Sequence, residues 1–187
     1  MRVLLTGDKG YIGAVMVPLL IQEGHTVTGL DNDWFEQSAF SELPGRIVSR
    51  KKDLRDLQPS DLEGFDAVIH LAGLSNDPLG DLNPSLTLEI NHAASVQLAK
   101  LAKKASVARF LFSSSCSTYG AASPEELLDE QAEFRPVTPY GRSKVLVEED
   151  VAKLANSNFS PTFLRNATAY GVSPRLISCS TIWWRGR

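Results

Sequence analysis

The sequence has little cysteine, no long apolar run and no basic block. Its two cysteines, Cys116 and Cys179, stand alone. They form neither a disulfide framework nor a zinc spacing, which points to a reducing, cytoplasmic setting. No run is long and apolar enough to cross a bilayer, so no membrane association is expected. Met1-Arg2 leads straight into an apolar stretch, leaving no room for a secretory leader. Lysine and arginine total 19 against 22 acids, for a net charge of −3, and nucleic acid is therefore not an expected partner. Internal repeats and low-complexity tracts are also missing. What is present is an ordinary globular composition, 43% hydrophobic and 22% charged over 187 residues. That length suits one domain with a sizeable core.

The chain is organised around its opening. The apolar run Val3-Leu4-Leu5 reaches Thr6-Gly7-Asp8-Lys9-Gly10-Tyr11-Ile12-Gly13 and passes directly into a helical pattern, Ala14 to Glu23. This order suits a dinucleotide phosphate. Gly7 permits a tight turn, Gly10 lets the backbone approach a pyrophosphate, and Gly13 lets the helix pack close on the strand. The helix N-terminus adds unpaired N–H groups and a positive dipole end. A second strand pattern, His25 to Leu30, ends in Asp31-Asn32. An acid about 20 residues past the glycines can take both ribose hydroxyls of an adenosine and would repel a 2′-phosphate. Lys9 is the one feature of the turn that would favour NADP, but a lysine in an exposed turn reads first as solvated.

Further strands are expected at Arg46–Arg50, at Leu62–Leu71 entered from a polar turn, at Arg109–Phe112 and at Pro161–Arg165. The Phe65 run ends in Ala72-Gly73, small residues that allow close approach to a ligand. Ser75 to Asp81 reads as a loop. A long helical pattern follows from Pro84 to Ala105 and contains Asn91, a residue type that usually faces solvent at mid-helix. After Phe112 comes a hydroxyl-rich run, Ser113 to Gly120, and a third helix opens at Tyr140 and runs to about Asn156. Strands alternating with helices imply an α/β fold: a doubly wound parallel sheet of the Rossmann type, covered on both faces. The ligand crevice belongs at the carboxyl ends of the first and fourth strands.

Tyr140 and Lys144 are four apart and share one helix face. An ammonium beside a phenol favours the phenolate, so Lys144 is expected to lower the Tyr140 pKa. Such a tyrosine can take the proton of a substrate alcohol as hydride leaves its carbon. A hydroxyl at the end of the preceding strand can place the same oxygen. In isolation a Tyr and a Lys at this spacing are a surface helix pair. The cofactor turn and the serine strand end give them their meaning.

Taken together, these motifs resemble the extended short-chain dehydrogenase/reductases, the NAD-dependent epimerase/dehydratase family. The resemblance covers about residues 1–175. It implies NAD as cofactor and a nucleotide sugar as the small-molecule substrate, with a homodimer as the candidate assembly. Gly7, Gly10, Tyr11, Ile12 and Gly13 match the family's glycine motif, and Asp31-Asn32 its ribose clamp. Asp53-Leu54 is similar to its adenine contact, and Leu71-Ala72-Gly73 to the strand end that lines the cofactor. Asn91 falls where the family has its helix asparagine. Ser113 to Gly120 resembles the Ser-Ser-x-x-x-Tyr-Gly element, which makes Ser113 a cofactor contact and Ser115 the implied catalytic hydroxyl. Tyr140 and Lys144 match the Tyr-x-x-x-Lys pair, with roles in both catalysis and cofactor binding.

Three departures bear on function. The family's 4,6-dehydratases carry Asp-Glu after the catalytic hydroxyl. Cys116 and Ser117 stand there instead, which disfavours 4,6-dehydration. The asparagine expected before Val-Tyr-Gly aligns with Thr168, while Asn166 stands two residues earlier. Family members are also much longer, so the chain reads as truncated before the substrate lobe. Leu176 to Arg187 carries no helix or strand period and reads as a frameshifted tail. The expected activity is epimerisation or oxidoreduction of a nucleotide sugar by Tyr-assisted hydride transfer. The alternatives are an NAD-binding module without turnover and an inactive fragment of such an enzyme.

Overall fold

The computed structural model describes residues 1–34, 47–75, 77–121 and 127–174. The expected tail, residues 176–187, lies outside them, as does most of the polar loop after Trp34. The apolar runs become strands β1 (Arg2–Thr6), β2 (Thr26–Asp31), β3 (Val48–Lys51), β4 (Ala67–His70), β5 (Arg109–Ser115) and β6 (Ser160–Asn166). They form one six-stranded sheet in the order β3-β2-β1-β4-β5-β6. Every neighbouring pair is parallel. The order reverses between β1 and β4, which sets the switch point at their carboxyl ends.

The helices are α1 (Gly13–Gln22), α2 (Asp77–Leu82), α3 (Pro84–Leu88), α4 (Ser95–Lys104) and α5 (Pro139–Ala152). Alternation along the strands sends side chains to two cores. Val3, Leu5, Val27 and Ile69 pack with Val17 of α1 on one face. Leu4, Val68, Phe110 and Phe112 pack with Leu98 and Leu101 of α4 and Val147 and Val151 of α5 on the other. Each fully buried side chain of this size contributes about 1.5–3 kcal/mol.

Three elements differ from the sequence reading. The long pattern from Pro84 is not one α-helix: Glu89–Ala94 between α3 and α4 is a π-helical turn. Asn83 starts α3 by accepting a hydrogen bond from the Leu86 N–H at 3.1 Å, with Pro84 in the first turn. The expected loop Ser75–Asp81 contains α2, which is tied to α3 where the Thr87 hydroxyl donates to the Gly80 carbonyl at 2.9 Å. Strand β5 runs three residues past Phe112, because Ser113, Ser114 and Ser115 pair with Leu164, Arg165 and Asn166 of β6. The lengthened strand carries the serines to the carboxyl rim.

Candidate active site

The glycine turn joins β1 to α1. Gly7 adopts φ +75°, and its N–H donates to the Leu30 carbonyl at 2.8 Å. A Cβ on Gly7 would stand 2.8 Å from the Ala72 nitrogen, so the ends of β1 and β4 touch through this glycine. A Cβ on Gly13 would stand 2.1 Å from the Gly7 carbonyl oxygen. Gly10 is exposed, with its N–H on the Gly7 carbonyl at 3.0 Å and no side chain to keep a ligand away. At the start of α1 the Ala14 N–H donates to the Gly10 carbonyl at 3.0 Å and the Val15 N–H to the Ile12 carbonyl at 3.1 Å, so the helix end favours an anion through its dipole. Tyr11 and Ile12 are half-buried at this end. The Tyr11 hydroxyl donates to the Gly171 carbonyl at 2.6 Å, and the Ser173 hydroxyl donates to the Tyr11 carbonyl at 2.9 Å. The segment after β6 therefore crosses the glycine turn, a contact with no local sequence signal.

Beside the turn, Asp31 closes β2. Its carboxylate accepts the Lys9 N–H at 3.3 Å and the Asp33 N–H at 2.9 Å. Asn32 accepts the Trp34 N–H at 3.2 Å. A cavity of about 360 Å³ opens here, lined by Asn32, Trp34, Lys51, Lys52, Asp53 and Asp56. That volume is in the range of small-molecule sites. Asp53 caps the turn Leu54–Asp56 and binds the Arg55 guanidinium, which holds its carboxyl below the usual range. Leu54 is buried in the core, so only its backbone can serve the cavity. Trp34, beside the cavity, carries no motif and was not legible as a site residue. Asp8 is buried within the turn, and burial pushes its carboxyl above the usual range.

At the end of β4, the Leu71 N–H donates to the Thr6 carbonyl at 3.1 Å and the Ala72 N–H to the Thr6 hydroxyl at 3.4 Å. Asn91 is buried, unlike a typical mid-helix asparagine. The π-helical turn aims it at the loop after β4. Its Oδ1 accepts the Leu74 N–H at 2.7 Å and its Nδ2 donates to the Leu74 carbonyl at 2.9 Å. A Cβ on Gly73, at φ +157°, would come within 2.9 Å of the same Oδ1. His70 is fully buried, hydrogen-bonded to Thr6 at 2.6 Å and Ser95 at 2.8 Å. Burial lowers its pKa to about 3, so it is neutral.

Ser115 ends β5. Its Oγ accepts the Ser117 N–H at 3.1 Å. Tyr140 sits in the first turn of α5, which Thr138 caps by accepting the Gly141 N–H at 3.0 Å. Lys144 is buried one turn later. Its Nζ donates to the Ser113 carbonyl at 2.8 Å and lies 5.4 Å from the Tyr140 ring centre. Burial pushes Lys144 down to about 8, partly offset by Glu148. The expected lowering of the Tyr140 pKa does not occur in this structure. Burial raises the phenol above its ordinary value; Ser115 eases the shift, while Asp77 and Cys116 add to it. Desolvation is the largest cause, and the Lys144 ammonium, turned onto the Ser113 carbonyl, is not among the groups that shift the phenol here.

A buried network supports this corner, and sequence reasoning missed it. Glu148 accepts a short hydrogen bond from Ser114 and pairs with Arg165 at 2.8 Å. Arg165 also donates to the Tyr119 hydroxyl at 2.9 Å. The available signal was the four-residue step from Lys144 to Glu148, which repeats the step from Tyr140. Asn166 donates to the Ser113 hydroxyl at 3.0 Å, tying β6 to the same rim. Gly7, Asp31, Gly73, Ser113, Ser115 and Asn166 thus all stand at or just past carboxyl strand ends of one parallel sheet.

Comparison with known proteins agrees with this arrangement. The model of the NAD dependent epimerase/dehydratase family matches residues 3–181. UDP-glucose 4-epimerase 1 of Oryza sativa subsp. japonica is 33% identical over 92% of this chain and 52% of its own length. Among solved structures, the NAD-dependent NDP-hexosamine 5,6-dehydratase TunA, involved in tunicamycin biosynthesis, superposes with a TM-score of 0.85 at 27% identity. It covers 97% of this chain and 59% of its own. MoeE5 in complex with UDP-glucuronic acid and NAD superposes with a TM-score of 0.84 at 29% identity, covering 99% of this chain and 60% of its own. The chain spans about half the length of the curated relatives it matches. By its glycine turn, its sheet order and the extent of this match, the chain belongs to the NAD-dependent epimerase/dehydratase family.

Proposed function

We propose that this chain binds NAD and carries the proton-transfer residues of a nucleotide-sugar epimerase or oxidoreductase. One observation carries the reading. Ser115, Tyr140 and Lys144 stand together at the carboxyl rim that also bears the glycine turn. The fit to NAD rests on the exposed backbone at Gly10, the cavity beside Asn32 and Asp53, and the acid Asp31 at the ribose position. When bound, NAD supplies a cationic hydride acceptor. Tyr140 then takes the proton of the substrate hydroxyl, and Ser115 hydrogen-bonds the same oxygen and places it. The buried Lys144 keeps its ammonium below about pH 8. It holds the Tyr140 side of α5 against β5 through the Ser113 carbonyl. A phenol raised by burial needs a positive charge to ionise, and Lys144 is the protein's contribution to that charge.

The comparisons favour a UDP-sugar as substrate: the epimerase relatives are named for UDP-glucose, and MoeE5 was solved with UDP-glucuronic acid. Cys116 and Ser117 offer no carboxylates for 4,6-elimination. The test is Tyr140→Phe in the purified protein, with conversion of UDP-sugars followed by chromatography and NAD affinity by calorimetry. Turnover is expected to fall by about 10²–10⁴-fold while the NAD Kd stays within about two-fold. Equal turnover in the variant refutes the role of Tyr140. NAD binding by the wild type without conversion of any UDP-sugar favours a cofactor module that does not turn over or an inactive fragment of such an enzyme.

A further inference from the structure

We propose that Asp33 sets the preference for NAD over NADP by engaging the ammonium groups of Lys9 and Lys51, which would otherwise receive a 2′-phosphate. The inference rests on the NAD reading above. Asp33 lies two residues past β2, at φ +62°, with a side chain only 6% exposed. Its carboxylate stands 2.6 Å from the Lys9 Nζ and 3.8 Å from the Lys51 Nζ. Its N–H donates to Asp31, which also accepts the Lys9 N–H. Lys9 belongs to the glycine turn and Lys51 lines the cavity beside Asn32. The cluster therefore sits between the expected phosphate turn and the expected adenosine pocket.

Two lysines here would complement a dianionic phosphate. Beside the cluster Lys52 pairs with Asp61 at 2.6 Å and Asp53 with Arg55 at 2.9 Å, and Asp56 adds a further acid to the cavity wall. Asp31 and Asp33 match Lys9 and Lys51 in number, with the buried Asp8 next to Lys9 as a further acid of the turn. A 2′-phosphate would have to displace the Asp33 carboxylate, and Lys9, with a side chain 21% exposed, is poorly screened by solvent. Asp31 alone explains only repulsion. Asp33 explains how a site can carry two lysines without serving a phosphate.

The experiment is a double-mutant cycle read as equilibrium binding of NAD and NADP to the purified chain. Asparagine tolerates the left-handed conformation, so Asp33→Asn removes the charge and keeps the backbone. NAD affinity reports the fold of each variant. Asp33→Asn is expected to tighten NADP by about ten-fold with NAD changed less than about two-fold. Lys9→Gln alone leaves the Asp33 carboxylate without its 2.6 Å partner and is expected to weaken NADP further, and Lys9→Gln with Asp33→Asn removes most of the gain. An unchanged NADP-to-NAD ratio in Asp33→Asn overturns the inference and leaves the NAD reading standing. A gain that persists in the double variant also overturns it, because Asp33 would then act by direct repulsion. A wild type that binds neither nucleotide overturns the NAD reading and the inference with it.

Discussion

Replacing Asn91 tests how the π-helical turn serves the rim. Asn91→Ala removes two hydrogen bonds to one residue, the N–H and the carbonyl of Leu74, at 2.7 and 2.9 Å. Each bond is worth about 0.5–1.5 kcal/mol net, more where the partner is left dry. Leu74 is half-buried, so water recovers part of the loss. The expected destabilisation is about 2–3 kcal/mol, or roughly 5–10 °C in Tm for a chain of this size. Asn91→Asp sharpens the test, because it keeps the acceptor for the Leu74 N–H but sets an oxygen against the Leu74 carbonyl. It should be at least as unstable as the alanine variant at pH 7. It should recover relative to wild type as the pH falls and the carboxyl regains a proton. Urea denaturation of the three proteins at pH 7 and pH 5 gives the answer. An alanine variant within about 0.5 kcal/mol of wild type would refute the claim that this side chain fixes the loop after β4.

His70 and Gly13 give two further expectations. His70 is held neutral with a folded pKa of about 3, below the unfolded value of 6.5. Above pH 6.5 it binds no proton in either state; between pH 6.5 and 3 only the unfolded chain takes one up. Its contribution is thus present above 6.5 and lost on acidification, by up to about 1.4 kcal/mol per pH unit. His70→Gln should flatten the urea midpoint between pH 6.5 and 4 by close to one proton, and an unchanged slope would contradict the burial argument. Gly13→Ala places a methyl group 2.1 Å from the Gly7 carbonyl and 2.8 Å from the Asp8 Cα, all backbone atoms. Loss of NAD binding with a destabilisation of at least about 2 kcal/mol is expected by calorimetry and thermal unfolding. Wild-type behaviour would show that the turn can shift.

Local chemistry made most of the frame legible. Glycines at 7, 10 and 13 between a strand and a helix have few other uses, and both periodicities were clear. Contacts set by tertiary pairing were not legible. The end of β5 depends on β6, more than 40 residues away in sequence, so the apolar run stopping at Phe112 gave the strand too short. Asn91 has the look of an ordinary solvent-facing helix residue and is marked only by the family resemblance, because its buried contact depends on a wider turn of the backbone that residue type does not reveal. The pKa of Tyr140 went the other way because sequence spacing shows that a lysine is near but not where its ammonium points. Lys9 read as solvated, whereas its partner Asp33 is 24 residues on and met only in the fold.

The surplus residue housed in Glu89–Ala94 works as a phase shifter between two helices. The face of Pro84–Leu88 that meets the tyrosine-bearing helix and the face of Ser95–Lys104 that roofs the sheet are set separately. Excising one residue there would preserve both rods yet rotate one against the other. Either Asn91 or Ser95, the latter holding His70, would swing off its target. Length in this segment is therefore as constrained as chemistry, although nothing in its composition marks it so.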